Sequence, residues 1–187
     1  QRAAQAIRAR LDEIAKAHPD LAFHELASLA YQKRVNLSAH AHYATPGIHF
    51  DRVRGKGEPF AYHVCGTAIA EATLDVLRGT YRIDSVRIVH DAGESLAPLV
   101  DRGQAEGALV QGIGWLLLEE LVANREGALL TDSLTTYKIP DIDFAPRDID
   151  VRFLEKSSNE HGPFNSKAIG EPPFMYGIAA YFALVEA

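Results

Sequence analysis

Glu171 lies between a glycine and two prolines in the stretch 166–173, and an apolar run follows it. Each proline fixes its own φ angle, so the chain after Glu171 is stiff. Gly170 adopts backbone conformations that other residues avoid and therefore predicts a turn before the carboxylate. We call the bend and stiff segment 170–173 the Glu171 elbow. It holds the carboxylate in one place, as a positioned acid or base requires. The alternative is a helix start, where glutamate favours the positive end of the helix dipole and proline occupies the first turn.

Gln104 is the second residue whose position could carry chemistry. It follows Gly103 at the start of a helix that the pattern predicts over 104–122. Its side-chain amide can donate and accept hydrogen bonds, and free backbone N–H groups in a first helical turn attract anions. Together these groups suit the polar edge and the phosphate of a cofactor. The alternative is a solvated or capping residue at a helix start.

Three histidines have the one spacing that resembles a set of metal ligands. His40 and His42 lie on one face of a strand predicted over 36–43, and His49 follows. No cysteine and no Glu-x-x-His pattern accompanies them, so the spacing alone supports a zinc site. We therefore expect a polar strand face here and no metal ligands from this chain.

The pair His90–Asp91 precedes a loop that contains Ser95, and a His–Asp pair can orient a serine nucleophile. The Gly-x-Ser-x-Gly elbow that would present such a serine is absent from the sequence. We predict that the pair makes structural hydrogen bonds.

Composition limits the classes of function. The chain has 187 residues, 47% of them hydrophobic and 24% charged, which is typical of a globular protein. Its net charge of −6 and the absence of a basic stripe argue against a nucleic-acid partner. No apolar stretch has the length of a membrane span, so no membrane partner is expected. The single cysteine, Cys65, excludes an internal disulfide and favours a reducing compartment, which predicts a cytoplasmic protein.

The elements that must position Glu171 and Gln104 alternate between helices and strands. The clearest pairing is a hairpin between two alternating segments joined at 78–80, and it favours an α+β fold with mixed or antiparallel sheets and packed helices. Gly103, Gly107 and Gly114, with Gln111 in the same three-to-four spacing, predict that another backbone packs closely against the helix 104–122. The remaining predicted elements are helices over 1–17, 23–34 and from 174 onward, and strands over 60–77, 81–90 and 149–153.

Three segments, Asp101–Gly112, Thr136–Pro140 and Ser166–Pro173, together resemble one family. In this order and spacing they are similar to the molybdenum hydroxylase superfamily, and within it to the molybdenum-binding subunit of xanthine dehydrogenases. Further segments, 43–46, 65–77 and 90–93, fit the same family, so the resemblance extends over nearly the whole chain. It implies that residues 1–187 are a C-terminal portion of the molybdenum cofactor-binding domain of that subunit, a fragment of a longer protein.

The resemblance implies roles for two residues. Glu171 corresponds to the general base that acts on a molybdenum-bound hydroxyl, and Gln104 corresponds to a glutamine that touches the molybdopterin cofactor. The implied reaction is hydroxylation of xanthine or hypoxanthine at a carbon adjacent to nitrogen. The implied partners are the rest of the molybdenum-binding subunit and an iron–sulfur/FAD subunit, with 2Fe-2S clusters, FAD and NAD outside this chain.

Two alternatives remain open at this point. A related molybdenum hydroxylase could act on aldehydes or other N-heterocycles, since the residues that face the substrate lie mostly outside this chain. A different class is a catalytically silent packing domain, whose glycine-lined helix serves assembly alone. We expect the isolated chain to be inactive, because it supplies the base and only part of the cofactor wall.

Overall fold

The computed structural model describes all 187 residues and divides them into two units, Gln1–Thr45 and Pro46–Ala187. The first unit contains helices α1 (Arg2–Ala17) and α2 (Phe23–Gln32), which confirms both predicted N-terminal helices. The Glu25 carboxylate accepts a 2.8 Å hydrogen bond from the Ala22 N–H, which satisfies a free donor at the start of α2.

The strand predicted over 36–43 is wrong. The Asn36 side-chain oxygen accepts a 2.8 Å hydrogen bond from the Ser38 N–H, a local turn that competes with strand pairing. The Arg10 guanidinium donates to the carbonyls of both residues at 2.6 and 2.8 Å, in place of a neighbouring strand. The histidines at 40 and 42 therefore share no strand face, and no cluster of three or more metal-ligating side chains occurs in the structure.

The second unit contains two sheets. Strands β1 (His49–Asp51) and β2 (Lys56–Glu58) form a small antiparallel pair. Strand β3 (Gly66–Asp75) pairs antiparallel with β4 (Thr80–His90) in the predicted hairpin, and Gly79 turns the chain at a φ of 66°. Strand β5 (Asp148–Phe153) joins the other edge of β4 in a parallel register, so the sheet order is β3-β4-β5. The mixed sheet confirms the predicted α+β class.

One hydrophobic core joins the three-stranded sheet to helices α3 (Pro98–Leu117) and α4 (Gly177–Glu186). Alternate β4 residues point into it: Val86 and Ile88 are buried, whereas Arg87 and Val89 are exposed. This period of two is what a strand with one covered face produces. The fully or nearly fully buried members of the core are Ile83, Val86, Ile88, Ala105, Leu109, Ile113, Val151 and Ala180.

Helix α3 begins and ends earlier than the predicted 104–122. Pro98 occupies the first turn, where its missing N–H costs no hydrogen bond. The Asp101 carboxylate accepts hydrogen bonds from the Ala97 N–H at 3.2 Å and from the Ser95 hydroxyl at 2.6 Å, which fixes this start. Gln104 therefore lies in the second turn, and its backbone N–H belongs to the helix rather than being free for an anion.

The chain after Glu171 forms a short 3₁₀ turn, Pro172–Tyr176, before α4 begins at Gly177. The helix predicted from 174 is thus confirmed as α4, with a tighter first turn. None of the helices is both long and apolar enough to span a membrane.

Candidate functional site

Helix α3 is the element at which the three sequence motifs meet. A Cβ added at Gly112 would lie 2.0 Å from the carbonyl oxygen of Phe174, so the turn after Glu171 rests directly on the helix backbone. A Cβ added at Gly114 would lie 2.1 Å from Cγ of Pro140, the last residue of the second motif. Segments far apart in sequence therefore converge on one helix.

The close packing expected of the α3 glycines occurs on one side of the helix only. Gly177 of α4 also approaches α3, since a Cβ there would lie 2.4 Å from the Gly112 carbonyl carbon. In contrast, a Cβ at Gly103 or Gly107 would meet nothing within 4 Å. The predicted backbone contact occurs at Gly112, whereas Gly114 is approached by the side-chain ring of Pro140. The prediction is wrong for Gly103 and Gly107, which line an open face of α3.

Gln104 and the Glu171 elbow lie side by side. A Cβ added at Gly170 would lie 3.1 Å from Oε1 of Gln104, so this side chain reaches the residue directly before Glu171. Gly170 is not among the residues with positive φ. Its lack of a side chain therefore serves the approach of Gln104 and not the turn that the sequence suggested.

The Glu171 carboxylate is not used as a helix cap. The Glu171 carbonyl accepts a 3.0 Å hydrogen bond from the Phe174 N–H and so begins the 3₁₀ turn, but the side chain makes no capping bond. Pro173 is buried behind it, which anchors the elbow. Glu171 thus lies at the start of a short helix with prolines in its first turn, as the alternative interpretation has it, and its exposed carboxylate makes no capping bond.

Asp91, directly after β4, is the centre of a buried polar cluster. Its carboxylate accepts hydrogen bonds from Lys167 Nζ at 2.5 Å, from the Gly93 N–H at 3.1 Å and from the Ser157 hydroxyl. Burial alone would raise the pKa of Asp91, but these hydrogen bonds and the Lys167 charge outweigh it and hold the pKa below its usual value. The ionised form of Asp91 is therefore favoured, and it pairs with Lys167.

Two hydrogen bonds hold the backbone of Ser166 and Lys167, just before the Glu171 elbow. The Lys167 N–H donates to the Ala92 carbonyl at 2.9 Å. On the other side, the buried side-chain amide of Asn159 donates to the Ser166 carbonyl at 2.9 Å. The segment that leads into the Glu171 elbow is thus fixed to the turn that follows β4.

The pair His90–Asp91 makes structural contacts, as predicted. His90 is fully buried, and its Nδ1 shares a 2.8 Å hydrogen bond with the Tyr176 hydroxyl, while its Nε2 has no partner. Burial lowers the pKa of His90 and raises the pKa of Tyr176. Ser95 donates to Asp101 and not to this pair, so no serine nucleophile is assembled.

Residues 1–146 match the molybdopterin cofactor-binding domain family. The chain belongs to this family.

Named relatives and solved structures are similar to most of this chain. Xanthine dehydrogenase 2 of Arabidopsis thaliana is 41% identical over 99% of this chain, and aldehyde oxidase 2 of Mus musculus is 35% identical over 100% of it. The aldehyde oxidoreductase from Desulfovibrio gigas superposes with a TM-score of 0.58 at 31% identity, over 71% of this chain. The chain spans 14% of the length of each of these proteins. The resemblance to the xanthine dehydrogenase family is therefore confirmed.

The sequence did not reveal that Lys167 and Asp91 pair, because they stand 76 residues apart. One signal was present: Lys167 is the only charged residue between Ser166 and Gly170. A lone lysine just before a positioned carboxylate requires a partner wherever it is buried.

Proposed function

We propose that this chain is part of a molybdopterin-dependent hydroxylase that oxidises xanthine or hypoxanthine at a carbon adjacent to nitrogen. The observation that carries the proposal is the adjacency of Gln104 to the Glu171 elbow, with both side chains exposed and neither hydrogen-bonded within the chain. A rigid support that holds an amide beside a carboxylate can present both groups to a ligand in fixed positions. The 41% identity to a xanthine dehydrogenase supports the purine substrate.

The open face of α3 fits one wall of a cofactor site. A Cβ added at Gly103 or Gly107 would meet nothing within 4 Å, so both glycines present bare backbone next to the exposed amide of Gln104. A planar cofactor can approach such a face closely, and an amide can donate to and accept from its heteroatoms. In this proposal Gln104 holds the pterin, and other parts of the subunit supply the remaining wall. When bound, the molybdenum centre supplies the oxygen-transfer and two-electron redox chemistry.

Glu171 is the general base in this proposal, and its carboxylate accepts a proton during the reaction. A base must lie within hydrogen-bond reach of the proton that it removes, and a stiff elbow holds it there without further ordering. The packing of the 3₁₀ turn on Gly112 supports this role, since it ties the elbow to the same helix that carries Gln104.

The proposal also includes the surroundings of the chain. The 2Fe-2S clusters, FAD and NAD that would carry the electrons away all lie outside these residues, on an iron–sulfur/FAD subunit or region. The complete protein is cytoplasmic, in keeping with the exposed free thiol of Cys65. We expect the isolated 187-residue chain to show no turnover.

A substrate panel tests the proposed function. The full-length protein that contains this chain is purified, its molybdenum content is measured, and kcat/KM is determined for xanthine, hypoxanthine, an aldehyde and a non-purine N-heterocycle. We expect bound molybdenum and a higher kcat/KM for the purines. A higher kcat/KM for the aldehyde would instead support the second candidate function, a molybdenum hydroxylase that acts on aldehydes. The 35% identity to an aldehyde oxidase favours that alternative. A folded protein that binds no molybdenum would overturn the class.

The role of Gln104 has its own test, with a matched control on the same helix. Gln104→Ala removes the amide beside Gly170, and Gln111→Ala removes an exposed amide that lies farther along α3. We expect the full-length Gln104→Ala protein to lose more molybdopterin during gel filtration than the control. Equal retention by both variants would contradict cofactor contact by Gln104.

A further inference from the structure

The loop that leads into Glu171 is tied to the end of β4 by a buried ion pair to which the proposed function assigns no role. Lys167 Nζ lies 2.5 Å from the Asp91 carboxylate, and the two side chains are only 12% and 9% exposed. Every other ion pair in the structure is more exposed, for example Arg152–Asp150, in which the arginine side chain is 76% exposed. A pair this deeply buried is costly to desolvate, so net stability alone is a weak reason for its presence and a further reason is needed.

The position of the pair supplies that reason. Asp91 begins the turn that connects β4 to α3, and α3 carries Gln104. Lys167 stands four residues before Glu171, in a segment whose backbone is bonded to the same turn. The ion pair thus connects the two chain segments that carry the candidate cofactor contact and the candidate base.

Geometry around Gly93 shows how closely the two segments fit. Gly93 has a φ of 61°, and a Cβ there would lie 2.3 Å from the Asn165 carbonyl oxygen. Gly93 also forms an antiparallel bridge with Ser166. Because these backbones touch with no space between them, a shift of the Lys167 side chain is transmitted to the elbow rather than absorbed.

We propose that Asp91 and Lys167 are positioning residues of the site: their buried ion pair fixes the elbow of Glu171 relative to Gln104 on α3. Neither residue contacts substrate or cofactor in this account. The inference rests on the proposed function for its kinetic consequence, whereas its structural part, the immobilised elbow, stands on the contacts alone.

The test uses the full-length protein and three variants. Lys167→Met removes the charge and keeps the chain length, Lys167→Arg keeps the charge, and Arg152→Met breaks an exposed pair as a control. We expect Lys167→Met to lower kcat by about 10²-fold, the cost of a misplaced catalytic group, with the KM and the molybdenum content within about twofold. Lys167→Arg recovers most of kcat, and Arg152→Met leaves it unchanged.

A second readout is independent of turnover. Amide hydrogen exchange over 165–171 is expected to become about tenfold faster in Lys167→Met and to stay unchanged in Arg152→Met. Where Lys167→Met fails to fold, Asp91→Asn/Lys167→Met removes both charges, and its exchange over 165–171 is measured instead. Unchanged exchange over these residues in the folded variant overturns the proposal.

The two claims fail separately. If the unmodified protein oxidises none of the panel substrates, the proposed function fails, and the exchange measurement alone decides the positioning role. If the unmodified protein is active and Lys167→Met keeps its kcat within about twofold, the positioning role is overturned and the proposed function stands.

Discussion

Replacement of Gly112 by alanine is expected to destabilise the protein, although alanine is the better helix former. The new Cβ would lie 2.0 Å from the Phe174 carbonyl oxygen, 3.0 Å from its carbonyl carbon and 3.4 Å from its Cα. All three atoms belong to backbone, so no flexible side chain can move aside. The 3₁₀ turn Pro172–Tyr176 must shift away from α3 or the helix must bend.

The magnitude follows from two opposing effects. Alanine in place of glycine inside a helix stabilises by about 1 kcal/mol. Overpacking of a tight contact costs about 1–3 kcal/mol, and contact with rigid backbone lies at the upper end of that range. The net effect of Gly112→Ala is therefore a loss of about 2 kcal/mol, or a Tm lower by about 4–8 °C for a chain of this size.

Gly107→Ala is the matched control, in the same helix and with nothing within 4 Å of the added Cβ. It gains the helix propensity without the clash, so its free energy of unfolding is expected to rise by about 0.5–1 kcal/mol. Urea unfolding of the 187-residue chain, followed by circular dichroism, measures both variants. Equal stabilisation of the two variants would refute the close contact between α3 and the turn after Glu171.

Two further predictions concern the core and its buried histidine. Ile88 is a core residue that is 1% exposed, so Ile88→Ala should lower the free energy of unfolding by about 2–5 kcal/mol in urea titrations. The neighbouring Val89 is 45% exposed, so Val89→Ala should lower it by less than about 1 kcal/mol. Because burial lowers the pKa of His90 in the folded state, the unfolded chain binds more protons, and stability should fall as the pH drops below about 6.5. His90→Gln should weaken this dependence in urea midpoints measured between about pH 7.5 and about pH 5.5, and an unchanged pH dependence would contradict the assigned burial effect.

Local patterns predicted the elements that depend on local signals. The alternation in 81–90 and the turn at Gly79 identified the hairpin, because a strand with one buried face repeats every two residues. The same alternation misled at 36–43, where Asn36 bonds its own local backbone and no neighbouring strand supplies partners. The helix predicted from 104 starts too late, because Pro98 is favourable in a first helical turn and α3 begins there.

The candidate site was predictable as a list of residues and not as an arrangement. Gln104 and Glu171 stood out by their neighbours, but their adjacency depends on how α3 packs against the 3₁₀ turn. The free N–H groups expected at Gln104 are absent, since the helix begins at Pro98. Asp91 and Lys167 are 76 residues apart, so no local sequence pattern indicates that they pair.

The most direct measurement of the central claim is the steady-state turnover of Glu171→Gln in the full-length protein. Glutamine keeps the size of the side chain and its exposed position on the elbow but cannot accept the proton. Glu160→Gln, at an exposed glutamate outside the site, is the control. At equal molybdenum content, we expect Glu171→Gln to lower kcat by about 10²–10⁴-fold and Glu160→Gln to leave it unchanged. Turnover by Glu171→Gln within about threefold of the unmodified protein would contradict the role of Glu171 as the general base.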